Sequence, residues 1–292
     1  MGSSTLAPVV VGVDGSARSA EALSWAAGEA ALRGVSLRIV HVLDLTPYYG
    51  LGSPYLPSTY HELREAGQRV LNSAREEAIR YTPAVHVTTR LVEDSAAHGL
   101  LSHAGDAAVA VVGSRGPGHL TAALLGSVGT TLTSHAHCPV IVVREGSRAA
   151  PPDSLVVVGV DSSPHSDTAL GFAFEEADLR GTRLEAVHSR VHHWARSEAV
   201  PSLLEDPAAV EQESRRLLER SLAPWRAKYS NVEASQTSVA LPPAHALVSA
   251  ATDAQLLVVG SRGHGGFAGL LLGSVSHGVL HRAHCPVAVV HR

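Results

Sequence analysis

Short apolar runs alternate with longer segments of mixed polarity along the whole chain. In the first half, runs rich in Val, Leu and Ile lie at residues 9–13, 37–42, 85–91, 109–112 and 140–143. Such near-continuous apolar runs are typical of parallel strands that are buried on both faces. The segments between the runs predict helices. Alternating strands and helices predict a parallel sheet that is covered on both faces, with right-handed crossovers.

Capping residues mark several helix ends. The first helix is predicted over 20–33 and ends at Gly34, and its counterpart begins at Ser163-Pro164 and ends at Gly181. Proline suits an early helical position and glycine suits a C-terminal cap. Further helices are predicted over 59–80, 96–104, 208–228 and 243–251, and onward from Gly126 and Gly273. Pro224 lies inside one of them, where its missing N–H predicts a kink or an early end.

A loop containing glycines follows the fourth apolar run of each half. In the first half, Gly113-Ser114-Arg115-Gly116 is followed, after nine further residues, by Gly126-Ser127. The second copy is Gly260-Ser261-Arg262-Gly263 with Gly273-Ser274. A strand that opens into glycines and then into a helix start makes room for a phosphate group. The sequence therefore predicts two phosphate sites.

Every motif of the first half recurs 147 residues later. This offset pairs Gly12-Val13-Asp14 with Gly159-Val160-Asp161, His41 with His188, and Cys138-Pro139-Val140 with Cys285-Pro286-Val287. No net insertion separates the pairs, and each half is large enough to hold a core, so we predict one duplicated domain. The predicted domains are residues 1–147 and 148–292, with a short linker near residues 144–153.

Composition narrows the class of protein and its partners. The chain is 45% hydrophobic and 17% charged, with a net charge of −4, as expected for a soluble globular protein. It has no basic block, so nucleic acid and anionic membrane are poor candidate partners. No apolar stretch approaches the roughly 18 residues of a membrane span, and the N-terminus lacks the pattern of a secretion signal. With only two cysteines we expect no disulfide framework and predict a cytoplasmic location.

An aspartate and a glycine loop follow different strands of each half. Asp14 and Asp161 follow the first strands, and the glycine loops follow the fourth. In a doubly wound sheet, ligands bind at the carboxyl ends of strands where the strand order reverses. If the first and fourth strands are neighbours, the aspartate and the loop of each half face one crevice.

Four motifs together resemble the universal stress protein family. They are the Gly-x2-Gly-x9-Gly-Ser loop, the opening Gly-Val-Asp, the second strand ending in His, and the closing Cys-Pro-Val, each present in both halves. The resemblance covers essentially the whole chain as a tandem pair. It implies an α/β fold with two five-stranded, doubly wound, Rossmann-like parallel sheets. It also implies ATP binding, as in the nucleotide-binding branch of the family, and pairing of domains along the last strand, within the chain or in a homodimer.

The candidate phosphate contacts lie in the loops and the helix starts. Glycine backbone N–H groups could approach the phosphates, and the helix dipoles would favour negative charge. Ser127 and Ser274 could donate hydroxyl groups, and Arg115 and Arg262 could pair with phosphate charge. Two alternatives remain open: the glycines serve tight turns and helix packing, and the arginines are simply solvated.

The resemblance supplies the remaining contacts. It implies that Asp14 and Asp161 meet the ribose or a Mg²⁺ ion, that Val13 and Val160 lie beside the adenine, and that the backbone at Val42 and Ser189 contacts the base edge. The complete predicted nucleotide-binding set is Gly12, Val13, Asp14, Val42, Gly113, Arg115, Gly116, Gly126, Ser127, Val128, Gly129, Gly159, Val160, Asp161, Ser189, Gly260, Arg262, Gly263, Gly273, Ser274, Val275 and Ser276.

The two predicted sites are unequal. Gly129 stands where the second half has Ser276, so the first site lacks one candidate phosphate donor, a difference of about 0.5–1.5 kcal/mol. Pro117 and His119 replace His264 and Gly266, and His119 either crowds the phosphate or donates to it. We expect both sites to bind, the second more tightly.

The sequence favours binding over catalysis. Neither loop is a P-loop, and Lys228, the only lysine, is far from both loops in sequence. We predict a nucleotide-dependent regulator or sensor in the stress response, acting through an unknown protein partner. Two alternatives are a slow ATP-hydrolysing or autophosphorylating enzyme and a nucleotide-free pairing scaffold.

Histidines and two polar segments offer further candidate sites. The spacing of His135, His137, His281 and His284 around the cysteines does not match a zinc knuckle, so no metal site is predicted and the histidines are assigned to helix ends. His41 and His188 either line the crevice or pack with a hydrogen bond. Residues 44–60 and 190–207 are either lids or docking loops, or ordinary surface excursions.

Overall fold

A computed structural model gives the structure of the protein over residues 6–45, 57–114, 125–144, 154–191, 207–263 and 272–292. The chain divides into two compact units, Met1–Gly146 and Ser147–Arg292. The elements of the first unit are β1 Val9–Gly12, α1 Ala17–Arg33, β2 Leu37–Leu43, α2 Pro57–Tyr81, β3 Val87–Glu93, α3 Ala96–Ala104, β4 Val109–Gly113, α4 Ser127–His135 and β5 Val140–Val143. Those of the second unit are β6 Val156–Gly159, α5 Pro164–Arg180, β7 Leu184–Ser189, α6 Pro207–Lys228, β8 Ala234–Val239, α7 Pro243–Ala250, β9 Leu256–Gly260, α8 Ser274–Arg282 and β10 Val287–Val290.

Each unit contains a five-stranded sheet whose neighbouring strands are parallel. The strand order is β3-β2-β1-β4-β5 in the first unit and β8-β7-β6-β9-β10 in the second. The predicted doubly wound α/β sheets are therefore confirmed. The order reverses between β1 and β4, and between β6 and β9, which makes each of these places a switch point.

The central strands form the core of each unit. Val9, Val10 and Val11 of β1 are all 0% exposed, as are Val156, Val157 and Val158 of β6. Because both faces of these strands are covered, their sequences are apolar at every buried position. The outer strands β3 and β8 are only half-buried and carry polar residues. Both strands begin two residues later than predicted, because a strand with one face exposed to solvent has no continuous apolar run in its sequence.

The predicted caps are present at the first helix of each unit. The Ser16 hydroxyl accepts from the Ser19 backbone N–H at 3.2 Å, so α1 begins at Ala17, three residues earlier than predicted. Ser163 caps α5 in the same way. At the other ends, Gly34 and Gly181 are left-handed, with φ of 65° and 59°, and their N–H groups donate to carbonyls of the last turn.

Pro224 lies inside α6 without ending it. The helix continues to Lys228, and the Tyr229 N–H donates to the Trp225 carbonyl at 2.8 Å. The prediction of an early end was wrong, because proline removes one N–H from the helix but the residues after it can resume the pattern. The indole N–H of Trp225 also donates to the Asp167 carboxylate at 3.1 Å, which holds this end of α6 against α5.

Both cysteines lie directly before the last strand of their unit. Cys138 and Cys285 are buried thiols outside any disulfide. Burial raises the pKa of Cys138 to about 11, so this thiol stays protonated near neutral pH. Among the residues that the structure describes, no helix is long and apolar enough to cross a bilayer.

Candidate functional site

The end of the first strand lies beside the end of the fourth strand in each unit. Strands β1 and β4 pair in parallel, with Val11 opposite Val111, and β6 and β9 pair in the same way. Asp14 follows β1 by two residues, and Gly113 is the last residue of β4. The aspartate and the glycine loop therefore reach the same edge of the sheet, as the switch-point hypothesis requires. We call this place the crevice: Asp14 and Gly113 define the first, Asp161 and Gly260 the second.

Each aspartate closes a turn that leads into the next helix. In both units the Oδ1 atom of the aspartate accepts a backbone N–H two residues later at 2.9 Å, in the pairs Asp14–Ser16 and Asp161–Ser163. The residue between them is left-handed, with φ of 80° at Gly15 and 63° at Ser162. Glycine adopts this conformation without strain, whereas a serine there costs about 1–2 kcal/mol. The turn at Asp161 therefore contains a residue with fewer allowed backbone conformations than the turn at Asp14.

The histidine of the second strand braces the aspartate's strand. The Nδ1 atom of His41 lies 2.7 Å from the Val13 carbonyl, and His188 makes the same contact with Val160. Because a carbonyl only accepts, Nδ1 carries the donated proton in both rings. His188 is 8% exposed. Of the two interpretations left open for these histidines, the packed and hydrogen-bonded one is confirmed.

The first glycine of each loop is required by packing. A Cβ at Gly113 would lie 3.0 Å from the carbonyl oxygen of Arg18, and one at Gly260 would lie 2.9 Å from that of His165. A backbone atom cannot give way as a flexible side chain can, so a residue larger than glycine would push the strand and helix apart. Close packing of strand and helix accounts for these two glycines.

The next glycine of the second loop lies directly beside the aspartate. A Cβ at Gly263 would approach within 2.2 Å of Asp161 Oδ2. Since Asp161 Oδ1 is held by Ser163, the carboxylate cannot simply turn away. The structure thus brings the loop after β9 and the aspartate after β6 together around one carboxylate oxygen.

The helices α4 and α8 both begin at this edge with a glycine N-cap. Gly126 donates its N–H to the Ser114 carbonyl at 3.0 Å, and Gly273 donates to Ser261 at 2.8 Å. Neither cap provides a side-chain hydrogen bond to its helix. The first-turn N–H groups of a helix have no partner within the helix, so each crevice has a row of amides at a positive dipole end.

Comparison with known proteins assigns the family. The universal stress protein family model matches residues 6–144 and again residues 155–291. The chain belongs to the universal stress protein family. A universal stress protein of Mycobacterium tuberculosis is 39% identical over 287 residues, which cover 96% of each chain. One from Mycolicibacterium smegmatis is 36% identical over 286 residues, 97% of this chain and 96% of the relative.

A solved universal stress protein shares the tandem fold. The crystal structure from Archaeoglobus fulgidus covers 97% of this chain and 98% of its own length, with a TM-score of 0.71 and 19% identity. At this identity the likeness concerns the fold. The two matches of the family model confirm the predicted family for both halves of the chain.

Within this universal stress protein, Ser276 has a different contact from the predicted one. Its hydroxyl donates to the Gly260 carbonyl at 2.6 Å, and the residue is 2% exposed. The sequence predicts this hydroxyl as a candidate phosphate donor. In the structure it donates to the Gly260 carbonyl instead, and this hydrogen bond holds α8 against the end of β9. At the equivalent place in the first unit, a Cβ on Gly129 would lie 2.8 Å from Leu125 Cδ1, so a leucine methyl fills the space. The serine tie is thus a structural difference between the units.

The other described residues of the predicted nucleotide-binding set at the crevices differ in their exposure to solvent. Ser127 and Ser274 are the first residues of α4 and α8 and are exposed, with Val128 and Val275 next to them. Arg262 is exposed at the second crevice. Ser189 donates its hydroxyl to the Leu241 carbonyl at 2.6 Å, which leaves the predicted base contact to its backbone.

Several predicted residues lie outside the described part of the chain. They are Arg115, Gly116, Pro117 and His119 of the first loop, His264 and Gly266 of the second, and most of the two polar segments predicted as lids. The remaining predicted residues, including Gly12 and Gly159 at the strand ends, are all described. Gly12 is a packing position, since a Cβ there would lie 2.5 Å from Leu100 Cδ2.

His165 belongs to the second crevice and was missed from sequence. It lies in the first turn of α5, and the charges that act on it are those of Arg262, Arg292 and Asp161. Burial first, and then the two arginines, lower its pKa below the usual value, while Asp161 raises it. One feature of the sequence could have indicated His165. The 147-residue offset aligns it with Arg18 of the first unit, so both units have a basic type of residue at this position.

Lys228 lies at the other end of the sheet from the strand end where the glycine loop of its own unit begins. It ends α6, the helix that leads into the start of β8, whereas the glycine loop leaves the end of β9. In a parallel sheet these are opposite edges. Its ammonium group lies 4.8 Å from the ring centre of Tyr229 and 5.5 Å from that of Trp225. The position supports a structural, cation–π role for this lysine.

Proposed function

We propose that each unit binds an adenine nucleotide in its crevice, with ATP as the ligand and Mg²⁺ as its counter-ion, and that the protein is a nucleotide-dependent regulator in the stress response. The phosphates would lie over the first turn of α4 or α8. The adenine and ribose contacts at Val13, Val160, Val42 and Ser189 follow from the family resemblance.

The observation that carries this proposal is the glycine at the start of α8. Gly273 has an extended backbone, φ −71° and ψ 155°, which any residue adopts. Among the described residues, the nearest atoms to an added Cβ are the Arg262 Cα and the Ser261 carbonyl oxygen, both at 3.4 Å. A serine or aspartate would fit there and would cap the helix better than glycine. The missing side chain keeps the first-turn amides open to an anion, which supports phosphate as the ligand.

The charges around the second crevice suit a phosphate chain with its metal ion. Arg262 and a protonated His165 would attract the phosphates. The single carboxylate of Asp161 matches the way Mg²⁺ is usually held, by one or two carboxylates together with substrate phosphates. When bound, the ion would neutralise phosphate charge, and Asp161 would position it or the ribose.

Binding rather than turnover is the proposed activity. The sequence has one lysine, Lys228, at the end of α6, and neither glycine loop contains a lysine to pair with the β- and γ-phosphates. A ligand at a hundredfold excess over its dissociation constant stabilises the state that binds it by about 2.7 kcal/mol. That free energy is enough to shift a marginal conformational equilibrium and so change the surface offered to a protein partner.

The substitution Gly273→Asp tests the proposal without depending on a folding defect. The aspartate should cap α8 and keep or raise the melting temperature, because a carboxylate is favourable at a helix N-terminus. It should also occupy the amides and repel phosphate. We expect isothermal titration with ATP to give two sites per wild-type chain and one in the variant. Gly273→Asn, which has the same shape without the charge, should lose less affinity, and Gly126→Asp should remove the other site.

The possible results separate the candidate functions. Unchanged ATP stoichiometry and affinity in Gly273→Asp would refute the proposed site. If the wild-type chain neither binds ATP nor releases adenine nucleotide on denaturation, the nucleotide-free scaffold is the better description. Sustained phosphate release that Gly273→Val abolishes would instead identify an ATP-consuming enzyme.

A further inference from the structure

Two histidines on α8 converge at their ring tips. His277 and His281 are four residues apart, so they lie on the same face of the helix. Their Nε2 atoms are 3.1 Å apart, whereas their ring centres are 4.3 Å apart and the ring planes are inclined by 56°. Because the Nε2 atoms are closer than the ring centres, both nitrogens point toward a common place beside the helix.

This arrangement places two ring nitrogens within reach of one metal ion. At 3.1 Å one neutral imidazole must donate its Nε2 proton to the other, since two N–H groups would repel each other. A metal ion can replace this hydrogen bond when the donating ring carries its proton on Nδ1 instead, so that both Nε2 atoms offer a lone pair. Imidazole suits zinc, copper, iron and nickel ions.

We propose that His277 and His281 form a two-imidazole binding site for a divalent transition-metal ion with right-angle geometry, of the Cu²⁺ or Ni²⁺ class. With metal–nitrogen bonds of about 2.1 Å, a nitrogen separation of 3.1 Å corresponds to an angle of about 95° at the metal. Square-planar and tetragonal ions prefer this angle. A tetrahedral zinc ion would need the nitrogens about 3.4 Å apart. Water would fill the remaining positions.

Among the residues that the structure describes, His277 lies on the solvent-exposed side of α8. The buried side of α8 is made by Ser276, Val279 and Leu280, and His277 is exposed on the other side. The backbone N–H of His277 donates to the Gly273 carbonyl at 2.9 Å, so the helix fixes the spacing of the two side chains. A rigid spacing lowers the entropic cost of closing the chelate.

The site is confined to the second unit. The 147-residue offset places Thr130 and Ser134 at the equivalent positions of α4, where no imidazole is available. The spacing of His281, His284 and Cys285 does not match a zinc knuckle, so the sequence predicts no metal site. The signal it missed is the four-residue helical spacing between His277 and His281. The inference is independent of nucleotide binding.

Metal titration of the full chain, prepared without a polyhistidine tag and without nucleotide, tests the site. We expect the tightest Ni²⁺ and Cu²⁺ site seen by calorimetry to weaken at least about tenfold in His277→Ala and in His281→Ala, because the second imidazole binds intramolecularly. His284→Ala, an exposed histidine of the same region, should leave it unchanged. Electron paramagnetic resonance of the Cu²⁺ form should show two equivalent nitrogens in the wild type and one in either variant.

Thermal stability gives a second readout that separates folding from binding. His277 is exposed, so His277→Ala should melt like the wild type without metal, and Ni²⁺ should raise the melting temperature of the wild type alone. The proposal is overturned if either single variant keeps the wild-type affinity, or if the Cu²⁺ spectrum of the wild type shows one imidazole nitrogen. A site that His284→Ala weakens as strongly as His277→Ala would also overturn it.

Discussion

The charge of His165 distinguishes the second crevice from the first at the scale of single residues. Burial, Arg262 and Arg292 lower its pKa, and Asp161 only partly opposes them. The equivalent residue of the first unit is Arg18, and arginine is always charged in proteins. The second crevice thus contains a titratable group whose pKa lies below the ordinary histidine value, and the first crevice contains a permanent cation.

We expect ATP binding at the second site to strengthen as the pH falls through the pKa of His165 in the complex, with proton uptake by this ring. Nearby phosphate charge favours the protonated ring, so the pKa of His165 is higher in the complex than in the free protein. Affinity therefore grows as the pH falls through the pKa of the complex and levels off below the lowered pKa of the free form. Calorimetry in buffers of different ionisation enthalpy, in a Gly126→Asp background, counts this proton.

Two variants complete that measurement. His165→Gln should lose the extra proton, while the titration of ATP itself is common to both proteins and cancels. With the first site intact, Arg18→Gln should weaken binding there at every pH without changing the proton count. Equal proton uptake by the wild type and His165→Gln would show that His165 does not sense the bound phosphate.

The residues of the crevice differ in how far the sequence could predict them. The repeat, which is visible in the sequence, predicts Asp14 and Asp161 as equivalent residues, whereas the pairing of the first and fourth strands that places them beside the glycine loops is shown only by the structure. The contact of Ser276 was not visible, because its partner, the Gly260 carbonyl, lies 16 residues away in the chain and meets it only in the folded unit. His165 was missed because no motif marks it and only its charge is shared with Arg18.

At the scale of helices and strands, the sequence predicts the bounds of fully buried strands more accurately than those of half-buried strands. The last strands, Val140–Val143 and Val287–Val290, agree with the predicted bounds because every residue in them is buried. Strands β3 and β8, predicted over 85–91 and 232–239, both begin two residues later because their polar, half-buried sequences give no such run. The helix predicted over 208–228 ends at Lys228 as predicted, and only the early end at Pro224 was wrong, because the residues after the proline resume the hydrogen-bond pattern.

A buried ion pair holds the C-terminal turn of α5. Arg180 and Glu176 are 2.5 Å apart, with side chains 8% and 0% exposed. We expect Glu176→Gln to lower the free energy of unfolding by about 3 kcal/mol, because it leaves the arginine charge buried without its carboxylate. Urea unfolding measures the loss.

An exposed pair on another helix provides the matched control. Glu213 of α6 is 63% exposed and pairs with Arg220 at 2.8 Å. Glu213→Gln should cost less than about 1 kcal/mol, since solvent screens surface pairs. Losses of equal size in the two variants would mean that burial does not decide the contribution of the α5 pair.

At the scale of the whole molecule, one domain occurs twice with two differently equipped crevices. The second unit has the Ser276 tie, the titratable His165 and the His277–His281 pair, where the first has Gly129, Arg18 and the Thr130 and Ser134 positions. Because the offset is constant, the Ser276 and His165 differences can each be exchanged between units by a single substitution, and the histidine pair by two. Each unit therefore provides the control for a substitution made at the equivalent position of the other unit.

The left-handed turn before each helix has a consequence for the thermodynamics of binding. Gly15 permits many backbone conformations when its turn opens, whereas Ser162 permits few, so the second aspartate has less disorder to lose. We expect ATP binding at the second site to have the smaller unfavourable entropy. In calorimetry on single-site variants, Ser162→Gly should increase that entropic cost toward the value of the first site, whereas no change would mean that the turn is equally rigid in both units.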